Sequence, residues 1–284
     1  MSSTDEIQIR TVAEQAARTA GSFIRLMALD NLKVFKAGEI SKPGKFLSVF
    51  DKEAERLIRN TIKMHFPDSD VFTDADIDKR FSSSEFSKIT WFVDPLDGSK
   101  AFLKGQFAFV CLSLAAWDPQ GVVTGVIFNP FTDMLYSATR TSECFLNSQI
   151  LPKPKPTARK NARLLVDYVK DTPEIIKRAL MIAESHLGRI LRFDGSIAQH
   201  LALVAQGTLD GAIIWGTGTK GAYWDLAAAI LLLQRQGILI TNLNGSPVTP
   251  SSKNFDQLLV AQPDLHGELL TWIAEIQDLN TKAE

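Results

Sequence analysis

The sequence predicts a mixed α+β and α/β protein built in two parts, and three observations carry that expectation. Apolar residues recur at helical spacing through Ile7 to Asp30 and again through Asp51 to Phe66. Three β-rich runs separated by tight turns follow, the pattern of an antiparallel meander. Beyond them, strand-length and helix-length segments alternate, as they do in layered α/β domains. At 284 residues and 45% hydrophobic, the chain has enough apolar surface to bury substantial cores.

In the first helix Ile9, Val12, Ala16, Ala20 and Phe23 to Met27 supply the apolar face. The polar stretch Gly38 to Lys45, with its glycines and proline, reads as a loop. The second helix carries Ala54, Leu57, Ile58, Ile62 and Met64 and is stopped by Pro67. Ile89 to Val93 is a short strand that ends at Asp94-Pro95. Phe107 to Ala116, Gly121 to Asn129 and Met134 to Thr139 are the meander strands, with turns at Asp118-Pro119-Gln120-Gly121 and Asn129-Pro130. Pro152, Pro154 and Pro156, interleaved with lysines, form a connector dividing residues 1–150 from 151–284. In the second part Leu164 to Tyr168, Ile190 to Phe193, Gly211 to Ile214 and Ile238 to Thr241 read as strands. Pro173 to Leu187, Ala198 to Gln206 and Trp224 to Gln236 read as helices.

With 31 basic against 32 acidic residues the net charge is −1, so no global field favours a nucleic-acid polymer or an anionic membrane as partner. Cys111 and Cys144 have no Cys-His cluster around them that would suggest zinc, and they read as buried free thiols in preference to a bridge. Met1 to Arg10 is polar and holds Asp5 and Glu6, unlike a signal peptide. The most apolar run, Ala227 to Leu233, falls far short of the ~20 residues that span a bilayer. The expectation is a cytoplasmic protein.

Chemistry concentrates in Trp91-Phe92-Val93-Asp94-Pro95-Leu96-Asp97-Gly98-Ser99-Lys100. Asp94 ends a buried strand, Pro95 restricts the chain, and Asp97 returns a second carboxylate close to the first. Gly98 permits close backbone approach, and Ser99 offers an amide and a hydroxyl to an anion. Two such carboxylates suit a hard cation that prefers oxygen ligands. Since Asp, Pro and Gly are also common turn residues, the segment by itself reads equally as a plain turn. Asp225, at the head of an Ala-rich helix, reads alone as an acid favoured by the helix dipole.

Taken together, Asp94-Pro95-Leu96-Asp97-Gly98-Ser99 and Trp224-Asp225-Leu226-Ala227-Ala228 resemble the paired signature of the inositol monophosphatase-like superfamily. Its members include inositol monophosphatases, 3′(2′),5′-bisphosphate nucleotidases and fructose-1,6-bisphosphatases. Gly195-Ser196 and Ser48-Val49-Phe50-Asp51 fit the same pattern. The resemblance implies a layered α-β-α-β-α sandwich of the sugar-phosphatase type, a homodimer, and a Mg²⁺-dependent phosphomonoesterase with about two or three ions acting on a small phosphorylated metabolite. By resemblance Asp94 bridges two metals, the Leu96 carbonyl completes one coordination sphere, and Asp97 and Asp225 hold the second ion. Gly98 and Ser99 bind the phosphate, Ser99 also orients the attacking water, and Gly195 and Ser196 touch the organic part of the substrate.

One departure stands out. Where the family supplies a Glu-Glu pair after the second helix, this chain has Asp74-Ala75, with Asp76 and Asp78 beyond, read as a surface acidic loop. Asp74 is one methylene shorter than Glu, whereas Mg²⁺ requires near-octahedral ligands at ~2.0–2.1 Å. This motivates an alternative in which the chain is a catalytically weakened relative that binds metal or phosphorylated ligand in a regulatory role. Ser99-Lys100-Ala101-Phe102 is closer to the Thr-Lys-Glu-Phe of the bisphosphate nucleotidases than to the Thr-Thr-Asn-Phe of inositol phosphatases. Arg192 and Lys220, with Lys42, are candidates to hold a second phosphate or else solvated charges. Trp215 and Tyr223 stack on a ring or fill a core. His186 and His200 lie in helical segments with no acid partner and read as structural or solvated.

Overall fold

Ser2 opens the first helix, α1 (Ser3–Asp30), with a capping box: its hydroxyl accepts the Asp5 amide while the Asp5 carboxylate accepts the Ser2 amide. The computed structural model describes residues 2–31, 43–73, 88–168, 187–215, 223–248 and 257–281. They divide into two compact units, the first being Met1–Leu151 with Asp194–Ala202 and Trp224–Arg235. Two segments from the second half of the chain thus fold with the first.

In that unit α1 buries the stripe Ile9, Val12, Ala13, Ala16, Ala17, Ala20 and Ile24, the helical repeat expected of it. Its alanines admit α2 (Pro43–His65) at close range, and α2 buries Phe50, Ala54, Ile58 and Ile62 in the same core. α2 starts earlier than the expected Asp51. The Pro43-Gly44 pair read as loop opens the helix, where the amide that proline lacks has no helical acceptor.

The sheet runs in the order β1 (Asp70–Phe72), β2 (Thr90–Asp97), β3 (Cys111–Asp118), β4 (Gly121–Asn129), β5 (Met134–Thr139), β6 (Phe145–Leu146) and β7 (Gln149–Ile150). β1 pairs parallel with β2, and all later pairs are antiparallel, giving the meander. β3 begins at Cys111 rather than at Phe107, because Phe107–Phe109 form one turn of 3₁₀ helix. β2 runs on through Pro95 to Asp97, past the expected break, because its ladder carries a bulge there.

Strand alternation assigns the faces. Val93, Leu114, Val126 and Phe128 join the α1–α2 core, so Asp94, Ser113, Ile127 and Gly125 point to the opposite face. That second face receives α5 (Tyr223–Arg235), which follows α3 (Ser99–Leu103) and α4 (Ile197–Gln206) in the chain. At Gly125 an added Cβ would lie 2.7 Å from the Ala228 carbonyl oxygen and 2.8 Å from its Cα, so the absent side chain is what lets helix meet strand. Farther along, the Cys144 thiol lies 3.5 Å from the Leu232 carbonyl, and Arg235 Nε donates to the Ser142 carbonyl at 2.7 Å. Ala228, Leu232 and Arg235 follow helical spacing, and the whole stripe is tied to this unit.

The second unit holds a mixed sheet. β8 (Arg163–Tyr168) pairs parallel with β9 (Arg189–Leu191) and β10 (Gly211–Trp215), while β12 (Gln257–Ala261) joins β10 and β11 (Leu239–Thr241) antiparallel. Leu164, Val166, Ile213, Trp215 and Leu259 pack with Leu265, Leu269 and Ile273 of α6 (Pro263–Thr281), so Trp215 is a core residue. Asp210 ties β8 down through the Arg163 amide at 2.8 Å and its guanidinium at 3.0 Å. The expected helix from Pro173 lies outside the described residues, apart from Leu187. No described helix is long and apolar enough to cross a membrane.

Candidate functional site

Plain alternation would put Asp94 and Asp97, three residues apart, on opposite faces of the sheet. The register shows otherwise. Asp94 faces Ser113 and Asp97 faces Cys111, so β2 takes three steps where β3 takes two. Pro95, which has no amide to give the ladder, falls inside this bulge. Ser113 and Cys111 share a face, and the two carboxylates opposite them share it too. It is the face on which α5 packs, with Asp225 one turn upstream of Ala228. Both carboxylates are half-buried, whereas Pro95 and Leu96 between them are buried.

Asp94 Oδ1 accepts the Leu96 amide at 2.9 Å, an Asx turn that folds the carboxylate back over Pro95. Asp97 is held from the start of α4. Its Oδ2 accepts the Ser196 hydroxyl and the Ala198 amide, the latter at 3.2 Å. Ser196 is the N-terminal cap of that helix, accepting the Gln199 amide on its hydroxyl oxygen at 2.9 Å. Cys111 Sγ lies 3.1 Å from the same oxygen. Burial first, and then the Asp97 charge, push the Cys111 thiol well above its ordinary range, so it stays protonated.

Two glycines let the chain segments cross here. Gly98 has φ +87°, and an added Cβ would come 2.7 Å from the Phe109 carbonyl oxygen and 2.9 Å from the Ser196 nitrogen. Gly195 has φ +122°, with the same carbonyl oxygen 2.3 Å from an added Cβ. The Phe109 carbonyl accepts the Ser196 amide at 2.8 Å, and Asn129 holds the preceding 3₁₀ turn by donating to the Ala108 carbonyl at 2.9 Å. On the other side Phe102 anchors α3, its ring meeting Phe50 edge-on at 4.9 Å. Ser99, the first residue of α3, is half-buried, and Lys100 is exposed.

The structure therefore brings Asp94, Asp97, Gly98, Ser99, Gly195 and Ser196 together. Ser196 is fully buried, and its hydroxyl meets Asp97, Gln199 and Cys111. Arg192 belongs to the second unit, 4.0 Å from Asp167, and Lys104 pairs with Asp194 at 2.6 Å. Asp74, Asp76, Asp78, Lys42, Lys220 and His186 lie outside the described residues, and of Tyr223 and Asp225 only the helical backbone is described. β1 and β2 run parallel, so Thr73 and Asp94 follow the same end of their ladder, and Asp74 is the next residue in the chain. His200 is buried with its ring 6.3 Å from Phe109, and burial lowers its pKa to about 4. The reading of the motifs missed Cys111, Phe109 and Gly125 as site-building residues. Only the glycine inside a strand carried a local signal.

Among the described residues no three His, Cys, Asp or Glu side chains converge to hold a metal. The described donors are carboxylate oxygens on one sheet face, a pair that fits a hard divalent cation.

Comparison with known proteins completes the picture. The sequence profile described as the inositol monophosphatase family matches residues 5–279. Inositol monophosphatase 2 of Solanum lycopersicum is 31% identical over 245 residues, covering 83% of this chain and 87% of that protein. Inositol-1-monophosphatase of Mesorhizobium japonicum is 31% identical over 249 residues, covering 82% and 85%. The crystal structure of inositol monophosphatase-II from Staphylococcus aureus superposes with a TM-score of 0.77 at 21% identity, covering 97% of each chain. That likeness shows the fold, layered α+β with mixed sheets.

Proposed function

The chain belongs to the inositol monophosphatase family of metal-dependent phosphatases, and from that premise we propose a Mg²⁺-dependent phosphomonoesterase acting on a small phosphorylated metabolite. The substrate class is an inositol phosphate, a nucleotide 3′(2′),5′-bisphosphate or a sugar phosphate. One observation carries the reading: the bulge at Pro95 turns Asp94 and Asp97 to one sheet face, and α5, which bears Asp225, packs on that face.

In this proposal Asp94, Asp97 and Asp225, with Asp74 and the Leu96 carbonyl, hold the cations. When bound, Mg²⁺ offsets the repulsion between a phosphate dianion and an oxygen nucleophile and lowers the pKa of coordinated water. The protein's own part is placement. Gly98 and Ser99, half-buried at the start of α3, bind the phosphate, and the Ser99 hydroxyl orients the attacking water. The Gly195 backbone is exposed beside them and contacts the organic part of the substrate. Among the described residues Cys111 is a protonated, enclosed thiol and is unsuited to nucleophilic attack. Attack by water, with no covalent enzyme intermediate, is the reaction this set of groups serves. A homodimer in the cytoplasm is the setting we propose, and sedimentation tests the oligomer.

The test is phosphate release with and without Mg²⁺ across myo-inositol 1-phosphate, adenosine 3′,5′-bisphosphate, fructose 1,6-bisphosphate and simple sugar phosphates, with Asp94→Asn as control. Mg²⁺-dependent release that disappears in the folded Asp94→Asn variant supports the proposal, and the preferred compound names the substrate. A folded protein silent across the panel, before and after Asp74→Glu, transfers the reading to a binding role.

A further inference from the structure

We infer that Ser196 is a positioning residue for Asp97, setting the rotation of its carboxylate and through it the affinity of the site for a divalent cation. The inference rests on the reading of Asp97 as a metal ligand.

A hydroxyl has one proton to give and two lone pairs to fill. At Ser196 the Gln199 amide donates to the oxygen at 2.9 Å, and the Cys111 sulfur lies 3.1 Å from the same atom. The proton is left for Asp97, and the Ser196–Asp97 contact is where it goes. The Ala198 amide reaches the same carboxylate oxygen at 3.2 Å. Two donors from one helix start, converging on Oδ2, fix the plane of the carboxylate with respect to its own strand.

The donors are themselves immobile. Ser196 has no exposed surface, and its amide is tied to the Phe109 carbonyl at 2.8 Å. Cys111 sits directly across the ladder from Asp97, so the thiol beside the serine oxygen and the carboxylate that takes the serine proton come from paired positions of β3 and β2. The arrangement is a closed circuit of strand, neighbouring strand and helix start. A helix cap alone requires only the Gln199 bond; the bond to Asp97 is additional. Outer groups that orient a metal ligand characteristically cost about 10–100-fold in metal affinity when removed.

The experiment measures Mg²⁺ binding by calorimetry without substrate, and melting without Mg²⁺, for wild type, Ser196→Ala, Ser196→Thr, Ser196→Gly and Asp97→Asn. Ser196→Ala is expected to weaken Mg²⁺ binding about 10–100-fold, and Ser196→Thr, which keeps the hydroxyl, to restore it to within about threefold. Glycine serves nearly as well as serine at a helix start, so Ser196→Gly keeps the cap, loses the hydroxyl, and decides the matter if the alanine variant does not fold. A purely structural serine would give lower melting with an unchanged Mg²⁺ constant in the Ala and Gly variants, and that overturns the inference. Asp97→Asn separates the two readings. If it binds Mg²⁺ as wild type does, the ligand assignment is wrong. If it loses Mg²⁺ while Ser196→Gly keeps it, the positioning role alone falls.

Discussion

Replacing Gly125 by alanine adds a single methyl group to β4, and the structure says where it goes. Its Cβ would lie 2.7 Å from the Ala228 carbonyl oxygen, about 0.7 Å short of the 3.4 Å at which ordinary contact begins. Neither neighbour is a flexible side-chain tip. Both are helix backbone, so α5 must move off the sheet by most of that distance, taking its first turn and Asp225 with it. Overpacking of this kind costs about 1–3 kcal/mol. Lost unfolded-state freedom returns about 0.4–1 kcal/mol, since Gly125 does not occupy the left-handed region. A net loss of about 1–2 kcal/mol is expected, visible as a lower urea midpoint. The larger effect falls on turnover, because a displacement near 1 Å costs reacting groups about 100-fold. Mg²⁺-dependent phosphate release should therefore fall about 10–100-fold in a protein that remains folded. Gly267→Ala is the matched control. It lies on the exposed side of α6 with nothing within 4 Å of an added Cβ. There the substitution should stabilise by about 0.8–1 kcal/mol and leave turnover alone. If Gly125→Ala keeps kcat and the Mg²⁺ midpoint within twofold of wild type, the seating of α5 does not govern the site and the argument from packing fails.

Gly98→Ala forces a φ of +87° on a residue with a Cβ that meets the Phe109 carbonyl, so a loss of at least about 1–2 kcal/mol, with activity abolished, should appear in urea titration and phosphate release. His200 is buried neutral with a pKa near about 4 against an ordinary 6.5, so its stabilising contribution is present above pH 6.5 and is lost as the pH falls toward 4. That contribution is at most about 3 kcal/mol, and His200→Gln should flatten the difference in melting temperature between pH 7 and pH 5. An unchanged slope in that variant would remove His200 from the account. Cys111 and Cys144 are free and buried, so a thiol reagent should find no fast-reacting group in the native protein and both on unfolding.

What could be read from the sequence follows the range of the forces involved. β4 and β5 were legible to the residue because each is bracketed by turns whose chemistry is local, Asp118-Pro119 before one and Asn129-Pro130 between them. β1, β6 and β7, of two or three residues, contain no periodicity to detect. β12 and α6 went unread, and the antiparallel edge they complete was missed with them. The expected end of β2 at Asp94 has a sound local reason, since Pro95 has no amide to give the ladder. Only the partner strand, which takes two steps from Ser113 to Cys111 where β2 takes three from Asp94 to Asp97, turns that break into a bulge.

The same bulge separates what the motifs revealed about the site from what they concealed. Motif spacing singles out Asp94, Asp97 and Asp225, yet a strand of period two sends the first pair to opposite faces, which argues against a shared cation. The contradiction is resolved by Pro95. A residue with no amide leaves the ladder one bond short, the strand takes an extra residue, and both carboxylates turn to the face where Gly125 seats α5. Ser196 could not have been placed from sequence, since it reaches Asp97 across 99 residues. The family resemblance implies a place for it, with Gly195, at the organic part of the substrate. The cap geometry turns its hydroxyl inward, beside the exposed Gly195 backbone. A neighbour in sequence and a neighbour in the site are thus different things here. The residue that shapes the carboxylate is the one least visible from solvent.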